Sequence, residues 1–237
     1  MARRAPAKTT VVIGGGLNGL VAATCLARRG RSVILLERQA SPGGSAITTE
    51  IAPGFRVPSL SHAAGPIDAE VIRAIGLDES GIDWIRPDRA LTALGARGEV
   101  ARFSADASLT AAALRDVSSH DAARWPDFAA SLHRITAVVA KMNRQAPPDV
   151  DQPTFADGLA LLSTGRAARQ LGPRDLSRLF RYAPMAVADL AAEWFESDVV
   201  RAAIAAHAVF GNFAGPWSAG TGGMLLQRMA ADATPLG

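Results

Sequence analysis

The sequence predicts an α/β fold: a β-α-β start with an incomplete parallel sheet, then a mostly helical region carrying one β-hairpin. Three observations predict it. Two short runs of β-branched and aliphatic residues, Thr9–Ile13 and Ser32–Leu36, bracket an amphipathic helical pattern. A glycine cluster, Gly14-Gly15-Gly16-Leu17-Asn18-Gly19, stands where the first run meets that helix. Beyond residue 100 the apolar residues recur mainly at helical spacing.

Composition narrows the class further. The 237 residues carry 25 basic and 22 acidic side chains, a formal charge of +3, with no basic block. That balance argues against nucleic acid as a partner. Hydrophobic residues make up 49% of the chain, and even with its 48 alanines set aside enough large apolar side chains remain for a core. Disordered and collagen-like classes are excluded. The single cysteine, Cys25, rules out an internal disulfide, a CxxC pair and a cysteine-rich zinc site. His62, His120, His133 and His207 include no i, i+4 pair, so no metal site is expected. Arg3, Arg4 and Lys8 ahead of the apolar run Val11–Ala27 superficially resemble a leader peptide. The glycine cluster interrupts that run, which is also short for a bilayer span. The expectation is a soluble, cytoplasmic chain without a transmembrane segment.

The first element is a buried strand over Thr9–Ile13, and the helix after it puts Leu20, Ala23, Leu26 and Ala27 on one face until Gly30 stops it. The second strand, Ser32–Leu36, ends in Glu37. The glycines between strand and helix match G-x-G-x-x-G. Gly14 permits the tight turn, Gly16 removes a side chain where a pyrophosphate must approach the backbone, and Gly19 lets helix and strand pack closely. Free N–H groups at the helix start, aided by the helix dipole, hold phosphates. Glu37, eighteen residues after Gly19, stands where a carboxylate accepts hydrogen bonds from a ribose diol. It disfavours a 2′-phosphate and so argues against NADP; the neighbouring Arg38 is expected to face solvent. NAD and FAD share the pattern to this point.

The next residues separate them. Pro42-Gly43-Gly44 makes a turn with close backbone approach, and Ser45 and Thr48 follow. Glu37, five intervening residues and then Gly43-Gly44 resemble the extended FAD fingerprint of FAD-dependent oxidoreductases in the phytoene dehydrogenase/amine oxidase-like group. Asn18–Ala23 and Ile51-Ala52-Pro53-Gly54-Phe55 resemble the phytoene-dehydrogenase-like subgroup, as do Pro184-Met185, Glu193–Ser197 and Gly215–Thr221. The resemblance implies a Rossmann-like FAD-binding start, with FAD held by Gly14, Gly15, Gly16, Asn18, Gly19, Glu37, Arg38, Gly43, Gly44 and Ser45. It also implies a flavin that takes hydride from an apolar or amine-like substrate.

Beyond residue 60 chemistry is sparse. Ala90–Leu94 and Glu99–Phe103, joined through Gly95–Gly98, read as a hairpin. A helix over Asp121–Asn143 aligns Trp125, Phe128, Leu132, Ile135, Val139 and Met142 as a core stripe. Gln145–Pro153, with three prolines, breaks the helical run, and further helices are expected near Pro173–Tyr182, Ser197–Phe210 and Gly222–Ala231. His62 is the weak catalytic candidate, as a loop residue within reach of a flavin. His207 reads as a packed side chain beside Val200 and Ile204, and Asp157, Asp189 and Glu193 as caps or surface groups. Cys25 reads as a small packing residue on the first helix.

The division expected is residues 1–66 as the N-terminal part of an FAD-binding domain and 67–237 as a helical substrate or cap region. Relatives, the resemblance implies, return to the FAD domain after such a region, whereas this sequence ends at Thr234–Gly237. The C-terminal remainder of the domain is then absent, leaving strand edges to a partner half or a homo-oligomer. An NAD-binding dehydrogenase and a non-catalytic truncated or split half stand as alternatives.

Overall fold

The computed structural model describes residues 9–60, 67–77, 80–83, 91–149 and 151–232. The chain divides into two compact units, Met1–Trp84 and Ile85–Gly237.

The first unit opens with the expected crossover. Strand β1 (Thr10–Ile13) leads through the glycine turn into helix α1 (Leu17–Arg28), which returns the chain to β2 (Val33–Leu36). The strands are parallel and in register from Thr10 opposite Val33 to Ile13 opposite Leu36. Leu20, Ala23 and Leu26 of α1 are half-buried, while Ala27 is exposed. Gly30 ends the helix, its N–H donating to the Ala27 carbonyl at 2.9 Å.

An antiparallel hairpin follows that the sequence reading leaves out: β3 (Thr48–Ala52) and β4 (Phe55–Pro58). The turn Pro53-Gly54 between them is closed by the Gly54 N–H donating to Glu50 Oε1 at 2.8 Å. Helix α2 (Ala69–Ile75) is capped by the Asp68 carboxylate, which accepts from the Glu70 N–H.

The first unit is thinly packed. Among its described residues only Gly15 is buried. Val11, Ile13, Ile34 and Leu36 project from the β1–β2 pair with about half or more of their surface exposed, Ile13 with 85%. A parallel sheet is stable when both faces are covered, and here one apolar face is open.

The second unit holds the core. Hairpin β5 (Leu91–Leu94) and β6 (Val100–Phe103) lies where expected. Among the described residues seven helices follow: α3 (Ala107–Leu114), α4 (Ser119–Asn143), α5 (Phe155–Gln170), α6 (Gly172–Tyr182), α7 (Val187–Ala192), α8 (Asp198–Val209) and α9 (Thr221–Asp232). The longest, α4, buries Trp125, Phe128, Leu132, Ile135 and Val139 as its spacing predicts. Met142, expected to complete that stripe, is exposed instead, while Lys141 and Asn143 on either side of it bond to the Ser163 carbonyl of α5 and to Gln227 of α9. Trp125 meets Phe103, Phe128 and Phe195 with ring centroids 5.2–5.7 Å apart, and Phe128 meets Phe195 edge-on at 4.9 Å. These tilted and T-shaped contacts join β6, α4 and the segment before α8.

Helices α3, α5 and α7 are not anticipated from periodicity. Two of them declare themselves through caps. Asp106 accepts from the Ser108 N–H to start α3, and Thr154 and Asp157 form a reciprocal capping box on α5.

Candidate dinucleotide-binding site

The site is built by the turn from β1 into α1. Gly14 adopts a left-handed φ of +98°, which a side chain would strain, and its N–H donates to the Leu36 carbonyl at 2.8 Å. That bond extends the parallel ladder one residue past β1. Gly16 then caps α1 with no side-chain hydrogen bond, and the first helical turn contains no acid. The first N–H groups of a helix have no intrahelical acceptor, so α1 presents donors and a positive dipole end at this turn.

Each glycine has a separate physical cause. A Cβ on Gly19 would overlap the Gly14 carbonyl oxygen, so helix and strand approach here as closely as backbone allows. Gly15 is confined on one side by Glu37 and on the other by Pro42, each 3.0 Å from where its Cβ would stand. Gly16 differs. Its nearest neighbour would be the Gly44 Cα at 3.9 Å, so nothing in the protein itself demands glycine there. The space beside Gly16 is open, bounded by the Gly44 Cα.

Glu37 closes one end of the loop. Its Oε2 accepts from the Gly15 N–H at 2.6 Å and its Oε1 from the Gln39 N–H at 2.8 Å. These two backbone donors, Gln39 first, hold the carboxyl below the usual glutamate range, so it is ionised at neutral pH. Each oxygen retains lone-pair capacity for a ribose hydroxyl. Arg38 beside it is exposed, as expected.

Gly43 and Gly44 close the other end. The Gly43 N–H donates to the Gly15 carbonyl at 2.7 Å. Both residues hold positive φ, +136° and +56°, and a Cβ on Gly44 would lie 3.0 Å from Gly16 Cα. The Pro-Gly-Gly turn is therefore seated directly on the glycine loop. Ser45 follows in a single 3₁₀ turn, Gly44–Ala46, and is exposed, as is Asn18 in the first turn of α1. The structure thus gathers Gly14, Gly15, Gly16, Asn18, Gly19, Glu37, Gly43 and Gly44 around one turn. Sequence reading places Pro42 in the turn but not against Gly15, and it misses the Gln39 N–H, whose signal is its position two residues after Glu37.

The remaining candidates lie elsewhere. His62 falls outside the described residues. Cys25 is half-buried on α1. Asp157 serves the α5 capping box, and Glu193 pairs with Arg181 at 2.5 Å. His207, half-buried on α8, is pushed down to about 4 by burial and by the Arg228 charge. His120, Asp121 and Glu196 bring ligand atoms within 4.8 Å of one another. Asp121 is occupied there as a cap, accepting from the N–H groups of Glu196 and Ser197 at 2.9 Å each. Among the described residues no helix is long and apolar enough to cross a membrane.

The parallel pair, the glycine turn and the acid at the tip of β2 define a Rossmann-like dinucleotide-binding domain at the N-terminus. A family model described as an NAD(P)-binding Rossmann-like domain matches residues 12–75. The chain is homologous to pyridine nucleotide-disulfide oxidoreductase domain-containing protein 2 of Rattus norvegicus, 27% identical over 238 residues, covering 94% of this chain and 41% of that protein. It is 34% identical over 119 residues to one of the limonene dehydrogenase subunits of Castellaniella defragrans, covering 50% of this chain and 22% of that one. The fold is shared with a solved putrescine oxidase variant from a redesign of cofactor binding, with a TM-score of 0.52 at 15% identity over 97% of this chain and 44% of that one. The chain spans about two-fifths of the length of the rat relative it matches.

Proposed function

We propose that this chain is the N-terminal part of an FAD-dependent oxidoreductase of the dehydrogenase or desaturase kind. One observation carries the reading: the Gly43-Gly44 turn seated on Gly15 and Gly16, which puts a second stretch of side-chain-free backbone beside the pyrophosphate cradle. A nicotinamide dinucleotide needs only the glycine loop and the acid; an extended flavin dinucleotide makes use of both stretches. The flavin, when bound, supplies hydride acceptance from an apolar or amine-like substrate. This chain's residues bind and orient it. The N–H groups at the start of α1 take the pyrophosphate, Glu37 the ribose, and Gly43, Gly44 and Ser45 line the path beyond, with Asn18 and Arg38 at the rim. In this reading residues 1–66 belong to the flavin domain and 67–237 to a substrate or cap region, in a cytoplasmic enzyme.

The test is the absorption spectrum of the purified chain. A flavin band that disappears in Gly16→Val, whose branched side chain fills the cradle, supports the reading. A colourless protein with saturable NADH affinity replaces it with the second reading, an NAD-linked dehydrogenase, which the NAD(P)-binding description of residues 12–75 favours.

The open apolar face of Val11, Ile13, Ile34 and Leu36 supports a further element of the proposal: more polypeptide covers it, as a C-terminal partner half carrying the rest of the sheet. A homo-oligomer is the alternative cover. Light scattering of the chain alone separates them, since a stable monomer or ill-defined aggregate fits the first and a defined oligomer the second.

A further inference from the structure

Helices α5 and α6 are attached to the second unit in opposite ways. Helix α6 is locked. Its buried Asp175 accepts from Ser131 Oγ and from Arg134 Nε, both on α4, at 2.7 Å each, and Tyr182 at its far end is buried as well. Helix α5 has no buried side chain. Its least exposed residues, Asp157, Ala160, Ser163, Thr164, Ala167 and Ala168, are half-buried and all small or polar. Its large side chains face water: Phe155, Leu159, Leu161 and Leu162 are each more than half exposed. Local stability follows buried apolar contact, so α5 stands at the weak end of this unit.

Two polar bonds tether the middle of α5 to the end of α4. Lys141 Nζ donates to the Ser163 carbonyl at 3.0 Å, and Thr164 Oγ1 donates to Gln145 Oε1 at 2.9 Å. The capping box of Thr154 and Asp157 is internal to the helix and its N-cap, so it travels with the helix. The joint between α5 and α6 is a single glycine. Gly172 opens α6 at φ +75°, which other residues rarely adopt, and a Cβ there would meet nothing within 4 Å, so the backbone has room to turn. On the other side of α5, residues 145–149 and 151–154 form no helix or strand, and they include Pro147, Pro148 and Pro153.

We propose that α5 is a hinged flap, which leaves α4 as a unit by turning about Gly172 while α6 stays locked. Its departure uncovers the end of α4 at Lys141 and the Gln145 beyond it. Hinges of this kind are a few element-terminal residues that absorb the backbone change. The flap lies wholly within the second unit, so the inference stands independently of the cofactor reading.

The test is amide hydrogen exchange of the full chain, read by mass spectrometry and NMR. Away from α4, a helix of 16 residues interrupted by Gly158 and Gly165 is marginal in water, so each departure exposes its amides. Expected is one common protection for the α5 amides, about a hundredfold below that of α6 and of the middle of α4. Lys141→Met, which removes one tether, lowers α5 protection about fivefold and leaves α6 unchanged. In a Cys25→Ser background, Gln145→Cys and Thr164→Cys joined by a short bismaleimide raise α5 protection about tenfold or more. Protection of α5 equal to that of α6, a Lys141→Met effect shared equally by α6, or exchange indifferent to the cross-link would each overturn the inference.

Discussion

The Gly15 N–H donates to Glu37 Oε2 across 2.6 Å, tying the glycine loop after β1 to the acid at the tip of β2. One carboxylate therefore fixes the loop, and in the proposed reading it also presents acceptors to a ribose. Glu37→Gln keeps size but replaces one acceptor oxygen by a donor, which opposes the Gly15 or the Gln39 N–H. The expected result is dinucleotide affinity reduced about tenfold or more, measured by cofactor retention on gel filtration. Unchanged retention would remove Glu37 from the site.

Gly16 and Gly19 should respond in opposite ways to the same added methyl. At Gly19 the methyl meets the Gly14 carbonyl oxygen, forcing α1 off β1. The expected cost is about 2 kcal/mol of stability in urea unfolding. At Gly16 the methyl meets no protein atom closer than 3.9 Å, and stability should stay within about 0.5 kcal/mol. Cofactor binding should nevertheless fall in Gly16→Ala, because the methyl enters the cradle. If both variants lose stability alike, the cradle is simply part of the packing.

The β-α-β start was legible because each of its residues answers a local demand: β-branched strands, glycines where backbone must approach, an acid at a strand tip. The hairpin β3–β4 was not, because Thr48–Ala52 and Phe55–Pro58 are exposed on both faces and show no alternation. Helices α3 and α5 are marked by Asp106 and Thr154 caps rather than by an apolar stripe; no α5 side chain is buried. Glu193–Ser197 is legible as a motif and opaque as chemistry. Its meaning is tertiary: Trp194 and Phe195 enter the core, and the backbone after them is held by Asp121, seventy-five residues earlier.

Asp121 supplies a third prediction. Its buried carboxylate at the start of α4 accepts from the Glu196 and Ser197 N–H groups, and α8 has no side-chain cap of its own. Asp121→Ala leaves both part-buried donors without that acceptor, for an expected loss of about 2 kcal/mol. Asp121→Asn, which keeps one acceptor, should lose about half as much. A thermal unfolding series resolves the order; equal effects would mean that side-chain volume alone matters.

Acid should weaken the second unit through His207. Burial first, and the Arg228 charge second, lower it from 6.5 to about 4. Between those values the unfolded chain carries a proton on this imidazole that the folded chain does not, so stability falls as pH drops through the window. Above 6.5 both states are neutral and the term vanishes. Asp175 does not mimic the effect. Burial alone would raise its carboxyl, but hydrogen bonds from Ser131, Arg134 and Arg178 outweigh that and hold it below 3.8, so its contribution is lost only at still lower pH. The urea midpoint of the wild type should therefore decline from pH 6.5 toward pH 4, and that of His207→Gln should decline less steeply across the same interval. Parallel profiles for the two proteins would mean that His207 takes up its proton without opposing the fold, and the neutral imidazole behind Arg228 would have to be abandoned.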